Sequence, residues 1–141
     1  MAADSSALYA KFRHALRIRQ SAEERLSPLY TTLDQTCNEI RLLRFLPHRT
    51  KQEPTHCQLL SYSLNDDPVY LALSYVWGDP SVMEDIVLNG HSKPITTNLS
   101  SSLKCLRKAM LSKPMPWSTC SQLPSLLWVD AICINQDNIM E

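Results

Sequence analysis

Apolar residues along this chain fall into two long uninterrupted runs, several short alternating stretches and two stripes of helical period. The first run, Val69 to Trp77, ends at Gly78-Asp79-Pro80. The second, Leu126 to Ile134, carries one carboxylate, Asp130, in its middle and leaves through Asn135-Gln136-Asp137. Runs of this length, rich in β-branched and aromatic residues, predict strands covered on both faces. An ionised Asp inside such a strand is costly unless it is paired or hydrogen-bonded. Asp130 is therefore the first residue to explain.

Shorter patterns fill in the rest. Glu39–Leu46 alternates imperfectly and predicts a strand closed by Pro47; His56–Leu64 predicts another, followed by the turn chemistry of Asn65-Asp66-Asp67-Pro68. Asp85–His91 reads as a strand running into Asn89-Gly90, a strong two-residue hairpin signal because both residues tolerate positive φ. Lys93–Thr96 is the return strand. Leu99, Leu103, Leu106 and Met110 then recur at i, i+4, i+7 and i+11, a core-facing helical stripe with Thr97 or Asn98 as cap and Pro114 and Pro116 as stops. A second stripe, Leu8, Phe12, Ala15 and Leu16, predicts a helix over Ser5–Leu26.

Two buried runs joined through a hairpin and an amphipathic helix are most simply parallel neighbours. The fold class expected is α/β: a partly parallel sheet with a β-hairpin and flanking helices. The organisation expected is an N-terminal helical arm over residues 1–38 and one domain over 39–141.

Composition narrows the function classes. Fourteen basic and fourteen acidic residues in 141 cancel, so no global field favours nucleic acid. The basic residues Arg41, Arg44, Arg49 and Lys51 read as a solvated strand end and loop. No apolar run reaches the ~20 residues of a membrane span, and Met1–Gln20 has no secretory core. Five cysteines, Cys37, Cys57, Cys105, Cys120 and Cys133, form no CxxC pair or finger spacing. Reduced structural thiols, a cytoplasmic location and no metal site are the expectation.

The separated blocks Ala72-Leu73-Ser74-Tyr75-Val76-Trp77-Gly78-Asp79-Pro80, Asn89-Gly90, Ile95-Thr96-Thr97-Asn98-Leu99 and Leu127-Trp128-Val129-Asp130-Ala131-Ile132-Cys133-Ile134-Asn135-Gln136 occur in one order. In that order they resemble the fungal heterokaryon incompatibility (HET) domain, with Glu39-Ile40-Arg41-Leu42-Leu43 resembling the strand that leads into it. The resemblance covers residues 39 to 141, and family members usually run on past the last block, so the chain looks like a truncated or short form. What the resemblance implies is a signalling or effector module of vegetative incompatibility, promoting cell death on non-self fusion by self-association or with other incompatibility proteins. The family is also considered distantly similar to Toll/interleukin-1 receptor (TIR) domains, some of which cleave NAD. A three-layer TIR-like architecture, incomplete here, follows as fold-level analogy.

Candidate site residues come from the strand ends, since open parallel sheets bind ligands beyond their carboxyl edges. Trp77, Gly78 and Asp79 follow one run, and Asn135, Gln136 and Asp137 the other. If these met, carboxylates, amides and an aromatic wall could hold a ribose or nicotinamide. NAD as substrate would require a carboxylate to stabilise an oxocarbenium-like centre; Asp130 and Asp137 are candidates, and Glu141 is another by TIR analogy. Structural readings stand beside each. Asp79-Pro80 fits a turn, Asn135–Asp137 a helix cap, Asp130 a paired structural acid, and Trp77 and Trp128 core residues. Cys133 has no identified base and is set aside as a nucleophile. On balance a non-enzymatic association module, with no cofactor, is expected.

Overall fold

A computed structural model describes residues 28–47, 50, 52–111 and 124–140. The expected helix over Ser5–Leu26 lies outside them, as do Arg49, Lys51, Cys120 and Glu141.

Alternation in the first half does what it should. Strand β1 (Glu39–Phe45) pairs antiparallel with β2 (His56–Ser63), from Glu39 opposite Ser63 to Phe45 opposite Cys57. Leu43 and Phe45 therefore share a face with Leu59 and Cys57, and all four are buried. Asn38, in the left-handed region at φ 50°, turns the chain into β1. Leu42 is buried on the opposite face, so β1 is covered on both sides at its centre.

The hairpin is the clearest match between pattern and structure. Strands β4 (Met83–Leu88) and β5 (His91–Thr96) flank Asn89 at φ 49° and Gly90 at φ 78°. Both central residues have positive φ, as a type I′ turn needs. Asn89 does a second job. Its side chain accepts from the Leu59 amide at 2.8 Å and donates to the Leu59 carbonyl at 3.2 Å, so it continues the parallel β2–β4 pairing beyond the end of β4.

Helix α1 (Thr97–Leu111) packs on β4 and β5 through Leu99, Leu103 and Met110, which are buried, and Leu106, which is half-buried. The hydroxyl that receives a first-turn amide is that of Thr96, accepting from Leu99 N at 3.4 Å, one residue earlier than the pattern suggested. Asn98 is diverted: its amide donates to the Val76 carbonyl at 3.2 Å.

Both long apolar runs depart from expectation. Only Leu71–Ala72 (β3) and Leu127–Trp128 (β6) are strand. They are parallel neighbours, Leu71 opposite Leu127 and Ala72 opposite Trp128, as the crossover argument requires. The sheet order is β3-β6-β1-β2-β4-β5, which makes β3 an edge rather than an interior strand. Val69 is 73% exposed, Val76 79% and Trp77 56%. Trp77 is thus not a core residue, whereas Trp128 is half-buried against the core. The second run leaves the sheet at Val129 and winds into a helical turn, α2 (Asp130–Cys133). Val129, Ile132 and Cys133 are spaced i, i+3, i+4, so one turn places all three in the core. An apolar run this short does not distinguish strand from buried helix by period alone.

The result is an α/β fold: one mixed six-stranded sheet with helices packed on it. Its core joins the β1, β2, β4 and β5 side chains to those of α1 and α2. Among the described residues no helix is long and apolar enough to cross a membrane.

Replacing Asn89 with Ala removes two hydrogen bonds and puts a β-carbon residue without a local polar partner at positive φ. The expected loss is about 1–3 kcal/mol, read as a lower urea midpoint with unchanged slope.

Candidate functional site

Arg41 lies on the core face of β1, two residues from Leu43, and is only 4% exposed. The solvated strand end expected from charge alone is therefore wrong at this position, although Arg44, on the other face, is exposed. A buried guanidinium needs acceptors. Arg41 Nη1 donates to the Cys133 carbonyl at 3.2 Å and Nη2 to the Thr31 carbonyl at 2.6 Å. Beside it Tyr30 Oη donates to the Ile132 carbonyl at 2.8 Å, and the Arg41 guanidinium lies 5.1 Å from the Tyr30 ring centroid. The last two carbonyls of α2 are thus satisfied from β1 and from the segment preceding it. A cation at a helical C-terminus is favourable in sign as well. Lys93, on β5, approaches the same ring at 5.5 Å.

A cavity of about 120 Å³ opens beside this arrangement. The segment before β1 contributes Tyr30, Thr31, Thr32, Leu33 and Gln35; β1 contributes Arg41; the segment after α2 contributes Asn135, Asn138 and Met140. Among the described residues that line it, none is acidic. Asn135 Oδ1 accepts from Asp137 N, and Asn138 Oδ1 accepts from Met140 N, both at 3.2 Å. Each amide spends its oxygen on a local turn and keeps its NH2 as the remaining polar group.

The residues expected at the site separate into two groups. Asp130 opens α2 and is half-buried; its Oδ1 accepts from Ala131 N at 2.7 Å. It is not in the interior of a strand. Neither Ser74 nor Tyr75 donates a hydroxyl to it, but its charge adds to burial in raising the Tyr75 phenol above its ordinary pKa. Gln136 folds back, Nε2 donating to the Asp130 carbonyl at 3.2 Å, and Asp137 is exposed. Asn135 alone of that trio lines the cavity.

Trp77, Gly78 and Asp79 sit elsewhere, at the start of α1. Trp77 stacks on Tyr75 with centroids 6.3 Å apart and planes 8° from parallel. Gly78 has φ +75°, and a β-carbon there would lie 2.6 Å from Asn98 Nδ2. Asp79 Oδ1 accepts from Ser81 N at 2.9 Å and from Ser81 Oγ at 2.7 Å, bonds that hold its carboxyl below the ordinary range. Its side chain makes a turn. No hydrogen bond joins these three residues to Asn135, Gln136 or Asp137; Tyr75, stacked on Trp77 and within reach of the Asp130 charge, is the link between the groups. Glu141 lies outside the described residues.

Sequence reasoning passed over Arg41 and Tyr30. The available signal was a basic residue flanked by Ile40, Leu42 and Leu43, where an aliphatic run on both sides leaves little room for a solvated side chain.

The two buried thiols, Cys57 and Cys133, carry no nucleophilic chemistry near neutrality. Burial pushes Cys133 up to about 11 and Cys57 up to about 12 from 9.0. Cys37 and Cys105 are exposed. Among the described residues no cluster of ligands could hold a metal.

Three outcomes follow. Brief iodoacetamide treatment of the native protein at about pH 8 should label Cys37 and Cys105 and spare Cys57 and Cys133 until denaturant is added, as read by peptide mass spectrometry. Because the folded thiols hold their protons above the unfolded value, their contribution to stability is complete below pH 9 and is lost as pH rises toward 11–12. At Gly78, Ala should cost about 1–2 kcal/mol for the positive φ, with an added clash that the Asn98→Ala background removes; thermal melts of the single and double variants separate the two.

Comparison with known proteins bears on the same elements. The model of a family described as "Heterokaryon incompatibility protein (HET)" matches residues 70–141, from β3 through the segment after α2. A Neurospora crassa protein named "Heterokaryon incompatibility protein 6, OR allele" is 29% identical over 114 residues, covering 75% of this chain and 16% of its own length. The chain therefore spans about a sixth of that relative. No solved structure matches. With the family match extending over half of its residues, through the edge strand, hairpin, helix α1 and the Asp130 turn in order, this chain belongs to the heterokaryon incompatibility (HET) family.

Proposed function

We propose that this chain acts in vegetative incompatibility as part of an effector module that promotes cell death on non-self contact, working by association rather than by catalysis. The observation that carries the reading is the family match over β3, α1 and α2 together with the relative's name. The geometry supports association in particular. Segment Pro68–Trp77 contains no charged residue, lies at the sheet edge and exposes Val69, Val76 and Trp77. Natural edge strands usually carry charge or another device against pairing, and an unguarded edge is a place where another strand adds. Self-association or pairing with another incompatibility protein in the cytoplasm fits this surface.

NAD cleavage in a TIR-like three-layer domain is the second reading. In its favour, the Asp130 charge acts on Tyr75, whose ring stacks on Trp77. Against it, Asp79 is occupied by Ser81, and Asp137 is exposed.

Expression in a fungal host with growth as readout separates the two. Val69→Lys with Val76→Lys should abolish growth arrest, while Asp130→Asn and Asp137→Asn, checked for folding, should leave it intact. Nicotinamide release from NAD by the purified protein, lost in Asp130→Asn together with growth arrest, would replace association with catalysis.

A further inference from the structure

We propose that the chain pairs with a second copy of itself through β3, the two edge strands running antiparallel about a two-fold axis at Ala72. The proposal rests on the association reading above and gives it a partner and a register. Backbone direction shows which groups are open. Leu71 N donates to the Leu126 carbonyl at 3.0 Å and Leu73 N to the Trp128 carbonyl at 2.9 Å, so these amides face β6. Successive residues of an extended chain turn their amides to opposite sides. Ala72, with Tyr70 and Ser74, therefore presents N–H and C=O away from the sheet, and among the described residues no strand lies beyond β3. Ala72, Ser74 and Val76 are exposed, whereas Leu71, Leu73 and Tyr75 are half-buried against the core. That alternation carries the extended backbone as far as Val76.

The edge is complementary to itself in this register. With Ala72 opposite its own copy, Tyr70 of one chain faces Ser74 of the other, and a small side chain stands at the axis. Leu71 lies opposite Leu73 on the core face, so the two cores join. Val69, 73% exposed, covers the half-buried Tyr75 of the other chain as a cross-strand β-branched and aromatic pair. Pro68 falls opposite Val76. Proline has no N–H to give, and the Val76 carbonyl already accepts from Asn98 Nδ2 at 3.2 Å, so a missing donor meets an acceptor already in use. Segment Pro68–Trp77 has no charge to set against its copy, and Asp67 and Asp79 flank it and end the pairing by repulsion.

The far edge argues for a closed pair and against a filament. Strand β5 ends the sheet on that side and carries Lys93 and Pro94. Leu88 and His91 flank the two-residue turn as a bonded pair, so Pro94 turns its ring nitrogen to the open side, where it has no hydrogen to offer. A lysine and a proline are common devices against edge pairing. Strand β3 has neither, so it adds to its own copy and not to β5, and the symmetric contact closes at two chains.

The test is sedimentation equilibrium of the full chain over a series of concentrations, with a chemical reading of the register. Wild type should dimerise reversibly. Ala72→Pro removes the donors at the axis and no bond to β6; it should weaken the dimer at least about tenfold while the far-UV circular dichroism stays that of wild type. Ser92→Lys, on the guarded edge, should leave the dimer unchanged. Mild oxidation should join Ala72→Cys chains at the introduced thiol, because Cα atoms of a bonded antiparallel pair lie about 5.5 Å apart. It should not join Ser74→Cys chains there, where the offset separates the Cα atoms by about 14 Å. Peptide mass spectrometry tells these links from any through the exposed Cys37 or Cys105. A monomeric wild type, an Ala72→Pro dimer as tight as wild type, or equal joining at Ala72 and Ser74 overturns the proposal. Growth arrest lost in the Val69→Lys, Val76→Lys chain would then leave the association reading standing with a different partner; growth arrest retained would remove both.

Discussion

A buried guanidinium with main-chain acceptors is the constraint on which the site side of this fold depends. Arg41 sits in a strand whose neighbours on the same face are hydrocarbon, and a charge in that position is tolerated only if its hydrogen bonds are met. Two of its acceptors are carbonyls of segments remote in sequence, Thr31 and Cys133. Bonds to a charged donor contribute about 1.5–3 kcal/mol each, but their larger effect is positional. The short α2 turn has too few residues to be stable alone, and it is held because Arg41 and Tyr30 satisfy its final carbonyls.

Much of what surrounds the site follows from that clamp. The α2 turn sends Ile132 and Cys133 into the core and leaves Asp130 at its opening, half-buried, with Gln136 folded back over it. Burial of Cys133 then suppresses its thiolate, which removes a nucleophile from the region. The segment after α2 is laid against the segment before β1, and the polar cavity is the space left between them. None of these features requires a catalytic explanation. Among the described residues the most exposed large apolar side chains are Ile139 and Met140, after α2, followed by Val76 and Val69 beside the β3 edge.

How far the site could be read in the sequence depended on whether chemistry was local. Asp79 forms its turn with Ser81, two residues away, and the Asp-Pro signal indicated as much. Asn135 reaches the cavity, and its place after the last apolar run was a fair pointer. Arg41 was misread because charge along the chain says nothing of which face of a strand is covered. Tyr30 was passed over because its partners, Ile132 and Arg41, come from elements that meet it only in the folded chain.

The same division holds for the fold. Periodicity and turn chemistry by themselves determined β1, β2, the Asn89-Gly90 hairpin and helix α1, because each rests on contacts between near neighbours or on the φ preference of one residue. They also determined that β3 and β6 run parallel, since a crossover connection permits little else. Tertiary structure decided the rest. Whether an apolar run becomes an interior strand, an exposed edge or a buried helical turn depends on what lies beside it, and hydrophobicity alone is the same in all three. Val69–Trp77 became an edge because the sheet ends there, and Asp130 left the sheet because Val129, Ile132 and Cys133 reach the core together only from a helical turn.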